Sequence, residues 1–384
     1  MTEKLFYKDS KIFAFEAVCL SCKPDGDRFA STLDRTAFFP EGGGQLADTG
    51  YIGNIRVTDV HEKGGQVLHY SDNPVIPGER YSCRIDSEQR LRRMQNHSGE
   101  HIVSGLIHAK FGYDNVGFHM GDDFMTIDFN GEISEEELND IEQKANEAIR
   151  DNRKITAEFP SQDELQSLDY RSKLELTENV RIVSIDGIDV CACCAPHMYS
   201  TGEVGIIKLL DSMRHRGGTR INCVCGMDAF DYFCKEHNNA TEISRLLSSP
   251  RNDIPAYVSR KLDSENELKS RIAALSGEII GYIAGSIPES SHSICIFKDE
   301  LDEISQRELV NLLIPKTESI AAVFCGNDTD GYRYIMGSRN IDLRKISKEL
   351  NAAINGRGGG KPEMISGRSS ASKYDIDNYF KQTY

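Results

Sequence analysis

No apolar run in these 384 residues approaches the roughly 18 residues that a membrane-crossing helix requires. The opening MTEKLFYKDSK also lacks the apolar centre of a secretory signal. No membrane partner is therefore expected, and a cytoplasmic location is. Positive charge is scarce: 45 Lys and Arg stand against 60 Asp and Glu, a net charge of -15. Phosphate attraction sums over cations, so this balance excludes an indiscriminate nucleic-acid binder and leaves room only for a local basic face. A disulfide framework is not expected either. Eleven cysteines is an odd number at irregular spacing, which in a reducing compartment points to free thiols or metal ligands. There is no internal repeat.

What is present is 39% hydrophobic and 27% charged, the balance of a soluble globular protein, and its length suits two or three domains. The reading is an α+β multidomain chain. Residues 1–86 carry β-rich runs such as KIFAFEAVCLSC, RFASTLD and GQVLHYS, separated by Gly and Asp turn signals, and predict a β-barrel. Residues 87–238 predict an α+β domain. It opens on a helix with apolar residues at Leu91, Met94, Ile102, Ile107 and Leu106, continues through a hairpin over VGFHMGDDFMTIDFNG, and has a second helix in EISEEELNDIEQKANEAIRDNR. Residues 239–284 predict a helical arm that Pro250 and Pro255 kink or divide in two. Residues 285–384 predict an α/β domain that ends in the glycine-rich NGRGGGKPEMISG.

Two pairs of side chains carry chemistry. His97 and His101 lie four apart on the first helix of the second domain, so both rings leave one helical face. Cys193 and His197 repeat that spacing, with Pro196 favouring a strand-to-loop turn over a helix. Three imidazoles and a thiolate suit Zn2+, one ion per chain. The plainer alternatives are surface histidines and a buried apolar thiol, and Cys191 or Cys194 offers the sulfur equally well by spacing alone. His97-Ser98-Gly99-Glu100-His101 also reads H-x-x-E-H, an inverted zinc-peptidase signature with Glu100 as base and a third ligand from among Glu135 to Glu147.

Taken together, RTAFFPEGGGQLADTG (35–50), the His97/His101 pair and CCAPHMYSTGEVGIIKLL (193–210) resemble the editing domain of alanyl-tRNA synthetases and the free-standing AlaX editing proteins. NGRGGGKPEMISG (355–367) resembles the end of the DHH-associated domain that follows editing in that family. The resemblance spans nearly the whole chain. It implies a zinc-binding editing domain, a C-terminal DHH-associated domain, and metal held by His97, His101, Cys193 and His197, which settles the sulfur on Cys193. It also implies hydrolysis of the ester joining serine or glycine to alanine tRNA, the mischarged partner. The chain departs from the usual pattern where Ser98, Gly99 and Glu100 separate the histidines, which brings Glu100 forward as a catalytic candidate. Aminoacylation is not implied, since the domain that performs it is not represented, and no Asp-His-His phosphoesterase motif occurs.

An ester hydrolase must position water and stabilise an oxyanion. Glu41, three glycines and Gln45 supply close backbone amides and an amide side chain for that purpose. By resemblance, Thr36 enters this loop and offers a hydroxyl to recognise that of serine. Thr201-Gly202-Glu203 is placed to support the ligand loop. Arg90, Arg92 and Arg93, then Arg214, Arg216 and Arg220, flank the site in sequence and are candidates for tRNA phosphates. Arg357 and Lys361 within GRGGGK are further candidates in a glycine-rich loop, which is no Walker motif because its spacing ends in Pro362. A homodimer through the C-terminal region is expected, and a zinc peptidase or a non-catalytic tRNA-binding protein are the rival readings.

Overall fold

Period-two patterning through the first 85 positions becomes strands in the computed structural model, which describes residues 2–121, 123–172, 180–299 and 301–383. These strands are β1 (Glu3–Lys4), β2 (Ala14–Asp25), β3 (Arg28–Leu33), β4 (Arg35–Thr36), β5 (Gly50–Ile52), β6 (Ile55–Lys63), β7 (Gln66–Ser71) and β8 (Arg80–Ile85). Six of them close on themselves in the order β2-β3-β7-β6-β5-β8. Leu33, Ile52, Val57, Val60, Val67 and Cys83 fill the interior. The short β1 and β4 pair in parallel, with Lys4 beside Thr36.

The helix α1 (Ser87–Phe111) follows. It buries Met94, Ile102, Val103 and Ile107 and stops where Gly112 turns left-handed at φ +71, a conformation glycine adopts without steric cost. β9 (Asn115–Met120) and β10 (Met125–Phe129) form the expected hairpin. Ser134 and Glu137 cap α2 (Glu135–Arg150) reciprocally, satisfying two orphan amides. Then come β11 (Ile155–Glu158), α3 (Gln162–Ser167), β12 (Ile182–Ile185), β13 (Asp189–Ala192), β14 (Ile207–His215), β15 (Gly218–Cys225) and α4 (Gly226–Leu247). They complete two sheets, β14-β15-β10-β9 and β11-β12-β13. The first of the chain's two units is Met1–Glu242, and its boundary falls inside α4.

The second unit, Ile243–Tyr384, contains α5 (Ile254–Ser286), β16 (Ile294–Lys298), α6 (Glu303–Leu313), β17 (Ala321–Asn327), β18 (Gly331–Gly337), α7 (Leu343–Ala353), β19 (Gly356–Lys361), β20 (Met364–Ser369) and α8 (Lys373–Thr383). The proline-rich stretch divides the helical region in two, as expected: Ser248 takes φ +50 and Pro255 lies in the first turn of α5. One expectation is corrected. GRGGGK is not a loop but the edge strand β19 of the sheet β16-β17-β18-β20-β19. Glycine is needed there because a Cβ on Gly358 would lie 2.2 Å from the Tyr334 hydroxyl and 2.3 Å from the Ser366 carbonyl. The close approach of β20, rather than a turn, explains the run.

Candidate metal centre and active site

α1 and the segment after β13 bring the four side chains together. One ligand atom from each of His97, His101, Cys193 and His197 lies within 4.8 Å of all the others. The Cys193 Sγ is 3.4 Å from His97 Nε2 and 3.4 Å from His197 Nε2. Metal–sulfur and metal–nitrogen bonds of about 2.3 and about 2.0 Å place tetrahedral ligands about 3.5 Å apart, so the donor set fits a cation of zinc size. The histidines are 2% to 3% exposed. Cys191 points elsewhere, into a grouping with His101 and Asp189. Cys194 sits against the glycine loop, 3.5 Å from where a Gly43 Cβ would lie.

Each imidazole has its Nδ1 engaged, which leaves Nε2 as the donor toward the centre. His97 Nδ1 donates to Gln45 Oε1 at 3.0 Å. His101 Nδ1 donates to Asp189 Oδ2 at 2.9 Å. His197 Nδ1 is 3.3 Å from Ser98 Oγ, which also accepts the Met198 amide. Such partners fix tautomer and ring orientation. Burial alone raises the Cys193 thiol, but its polar histidine neighbours, above all His97, and hydrogen bonds from His101 and His197 bring it well below its ordinary value, toward the thiolate that binds metal. Burial pushes His197 down to about 3, which keeps its ring neutral.

Asp189 and Arg171 went unnoticed in the sequence, where an acid opening a strand carries no signal, and Ser98 stood out there only as a departure from the family pattern. Arg171 grips Asp189 with two hydrogen bonds at 2.8 and 2.9 Å, so the carboxylate cannot swing away from His101. Asp189→Asn is expected to weaken metal binding about 10- to 100-fold, read by competition with a chromogenic chelator. Unchanged affinity refutes this role for the carboxylate.

The remaining candidates fall into distinct surroundings. Gln45 is fully buried, and its Nε2 has no partner among the described residues. Only the orientation with Oε1 toward His97 leaves that ring able to bind metal, so the amide donors face away from it. Glu100 is buried with Oε1 accepting from Ser104 at 2.6 Å and from Asn115, while Oε2 lies 3.8 Å from His101 Nε2. Glu41 is exposed at the loop, 4.0 Å from His61. Thr201 bonds the Ala148 carbonyl and Glu203 accepts from the Tyr199 amide, which ties down the chain beyond His197.

Thr36 is enclosed. Its Oγ1 lies 2.8 Å from His69 Nε2 and accepts the Phe38 amide. His69 Nδ1 faces the Ser31 carbonyl at 3.1 Å, an acceptor only, so Nδ1 carries the proton and Thr36 donates to Nε2. Burial lowers His69 to about 4, so it folds neutral. The unfolded ring, near 6.5, binds a proton between those values that the folded ring refuses. Stability is full above pH 6.5 and falls on acidification toward pH 4, by up to about 1.4 kcal/mol per pH unit. His69→Gln should flatten that slope in urea titrations at pH 7, 6 and 5.

The basic candidates separate as well. Arg90 is buried and forked onto Asp48, so it does not meet a phosphate. Arg92 is committed to Asp228 and Asp231 at 2.6 and 2.8 Å, Arg93 to the Ala47 carbonyl, and Arg220 to Asp128. Arg214 pairs with Glu132 on the surface. Arg216, Arg357 and Lys361 are exposed.

Comparison with known proteins defines the class of domain first. Residues 180–246 match the threonyl and alanyl tRNA synthetase second additional domain, a window holding Cys193 and His197 but not His97 or His101. Residues 289–378 match the DHHA1 domain. Over 98% of its length the chain is 28% identical to the alanyl-tRNA editing protein AlaX-L of Pyrococcus horikoshii, covering 96% of that protein. It is 30% identical to the alanine–tRNA ligase of Methanoregula boonei and 29% to that of Pyrococcus abyssi, spanning 41% and 42% of their lengths. The resemblance to alanyl-tRNA editing proteins thus runs along almost the entire chain. Among solved structures, the C-Ala domain of Aquifex aeolicus alanyl-tRNA synthetase matches 25% of the chain at TM-score 0.22 and 15% identity, too distant to bear on the fold. No helix of the described residues is long and apolar enough to cross a membrane.

Proposed function

We propose that this protein is a zinc-dependent hydrolase that removes serine, and also glycine, from mischarged alanine tRNA after the synthetase has released it. The observation carrying this reading is the convergence of His97, His101, Cys193 and His197 in a chain whose relatives include a protein named for alanyl-tRNA editing. The cation would polarise the ester carbonyl or acidify a water molecule there. Four protein ligands fill a tetrahedron, so direct action requires a ligand to yield or the shell to widen.

The chain's own groups perform the remaining work. Gln45 holds His97 and presents its unpartnered amide donors to the carbonyl oxygen on which negative charge develops. Glu100, steadied by Ser104 and Asn115, orients water, and Glu41 borders the loop. Thr36 directs its hydroxyl proton to His69, so its oxygen meets the serine hydroxyl as an acceptor. That polarity favours serine over alanine, which has no hydroxyl to donate. Arg216, Arg357 and Lys361 serve the RNA backbone, and the paired Arg92, Arg93 and Arg214 join them by exchanging partners.

Deacylation of seryl-, glycyl- and alanyl-tRNA by the purified chain tests the proposal. Rapid loss of the seryl ester with alanyl-tRNA spared is expected. Tight tRNA binding without turnover would instead establish the non-catalytic reading. The peptidase reading requires a carboxylate from α2 on the metal, whereas the four-residue group is completed by Cys193 and His197.

Assembly is the second proposal. On α5, Leu268, Ile272, Leu275, Ile279 and Tyr282 are all exposed and recur at alternating spacings of four and three, the seam of a two-helix coiled coil. The chain is expected to sediment as a homodimer and Ile272→Glu/Ile279→Glu as a monomer. A monomeric wild type at micromolar concentration overturns this.

A further inference from the structure

Next to the metal-ligand loop lies a cation that nothing above uses. Arg181 is 7% exposed. Its Nη1 donates to the carbonyls of Cys193 at 3.0 Å and Ala195 at 2.7 Å, which shapes the loop between the ligands Cys193 and His197. Its Nε is buried without a partner, and no carboxylate pairs with it among the described residues. Burial lowers its affinity for its proton. The carbonyl pair meets only one edge of its fork.

One aromatic ring lies against it, and a second packs on that ring. The Arg181 guanidinium lies 5.4 Å from the Tyr7 ring centre. Tyr7 meets Phe159 edge-to-face at 5.3 Å, and Phe159 is half exposed. The nearby Lys4, 5.4 Å from the same Tyr7 ring, is neutralised by Glu62, so Arg181 is the cation of the cluster without a carboxylate partner among the described residues. An arginine edge with paired donors suits a phosphate oxygen pair, and exposed rings accept nucleobases of any sequence.

We propose that Arg181, Tyr7 and Phe159 form a receiving site for the single-stranded 3′ end of the RNA, with a phosphodiester on the free edge of Arg181 and a base stacked on Phe159. The assignment rests on the tRNA-editing reading for the identity of the polymer, and it explains how a terminal ester is led to the metal. The two carbonyls that Arg181 holds belong to the ligand loop itself, so a nucleotide bound here stands beside the centre.

The test is binding of a short fluorescent single-stranded RNA ending in CCA to the full chain, followed by anisotropy, with metal content measured on every variant. Phe159→Ala, a change at a half-exposed ring, and Tyr7→Leu are each expected to weaken binding about tenfold with metal content unchanged. Arg181→Lys keeps the charge and loses the fork, and it is expected to weaken binding as well. Wild-type affinity in both Phe159→Ala and Tyr7→Leu overturns the site, as does displacement of the RNA by an acidic peptide at equal concentration. Because the probe carries no amino acid, the two readings fail separately. Ring-dependent RNA binding without deacylation would sink the editing reading alone, and deacylation with ring-independent binding would sink this site alone.

Discussion

Cys193→Ala is expected to purify without stoichiometric zinc and to lose hydrolysis of seryl-tRNA by more than the 10- to 100-fold that losing a partner behind a ligand costs. The sulfur is the donor that both His97 and His197 approach at 3.4 Å. Its removal leaves three neutral imidazoles, only 2% to 3% exposed, to hold a divalent ion with no anionic ligand to offset its charge. Metal content by plasma emission and deacylation rate should fall together. Cys191→Ala and Cys194→Ala are the controls and should retain the metal, because neither sulfur belongs to the four-residue group. A metal-free Cys193→Ala that still deacylates at the wild-type rate refutes a role for zinc in the reaction. A metal-loaded one shows that the sulfur is not a ligand.

The second large effect lies behind the site. Arg90 and Asp48 are 0% and 1% exposed. The guanidinium spans three parts of the chain: Asp48, the Ser10 carbonyl at 2.9 Å and the Ala37 carbonyl at 2.6 Å. It therefore fastens α1, which carries His97 and His101, to the chain around the barrel that carries Gln45. Asp48→Ala strands the charge and also removes the acceptor of the Phe39 amide. The expected loss is about 3–5 kcal/mol, a drop in Tm on the order of 10 °C. Arg90→Leu added to Asp48→Ala should recover part of it, since no buried charge is then left stranded. A double variant no more stable than Asp48→Ala alone would show that the cost is cavity and lost backbone bonds instead.

Much of the architecture was readable because it rests on local pattern. α2 announces itself by acids at its start, Arg150 at its end and a Ser134–Glu137 cap, all within one segment. The division between α4 and α5 follows from prolines that lack an amide donor. The His97/His101 spacing fixes a shared helical face before any partner is known. The GRGGGK run misled for a physical reason: absence of side chains signals a turn and a closely approached strand equally, and only the position of Tyr334 distinguishes them. The arginines show the same limit. Charge in a sequence looks available, yet Arg90, Arg92 and Arg220 are each held by carboxylates distant in the chain.

The sequence by itself determined the donor types, their pairing at four-residue spacing and the order of elements, because rotation per residue along a helix or strand is a local property. Tertiary structure alone decided what stands behind each donor: Asp189 held by Arg171, Thr36 with its proton turned toward His69, and, among the described residues, Gln45 with an unpartnered amide and Arg181 without a carboxylate. These relations join residues tens of positions apart, and a hydrogen bond or a desolvated charge depends on distances that the chain acquires only when it packs.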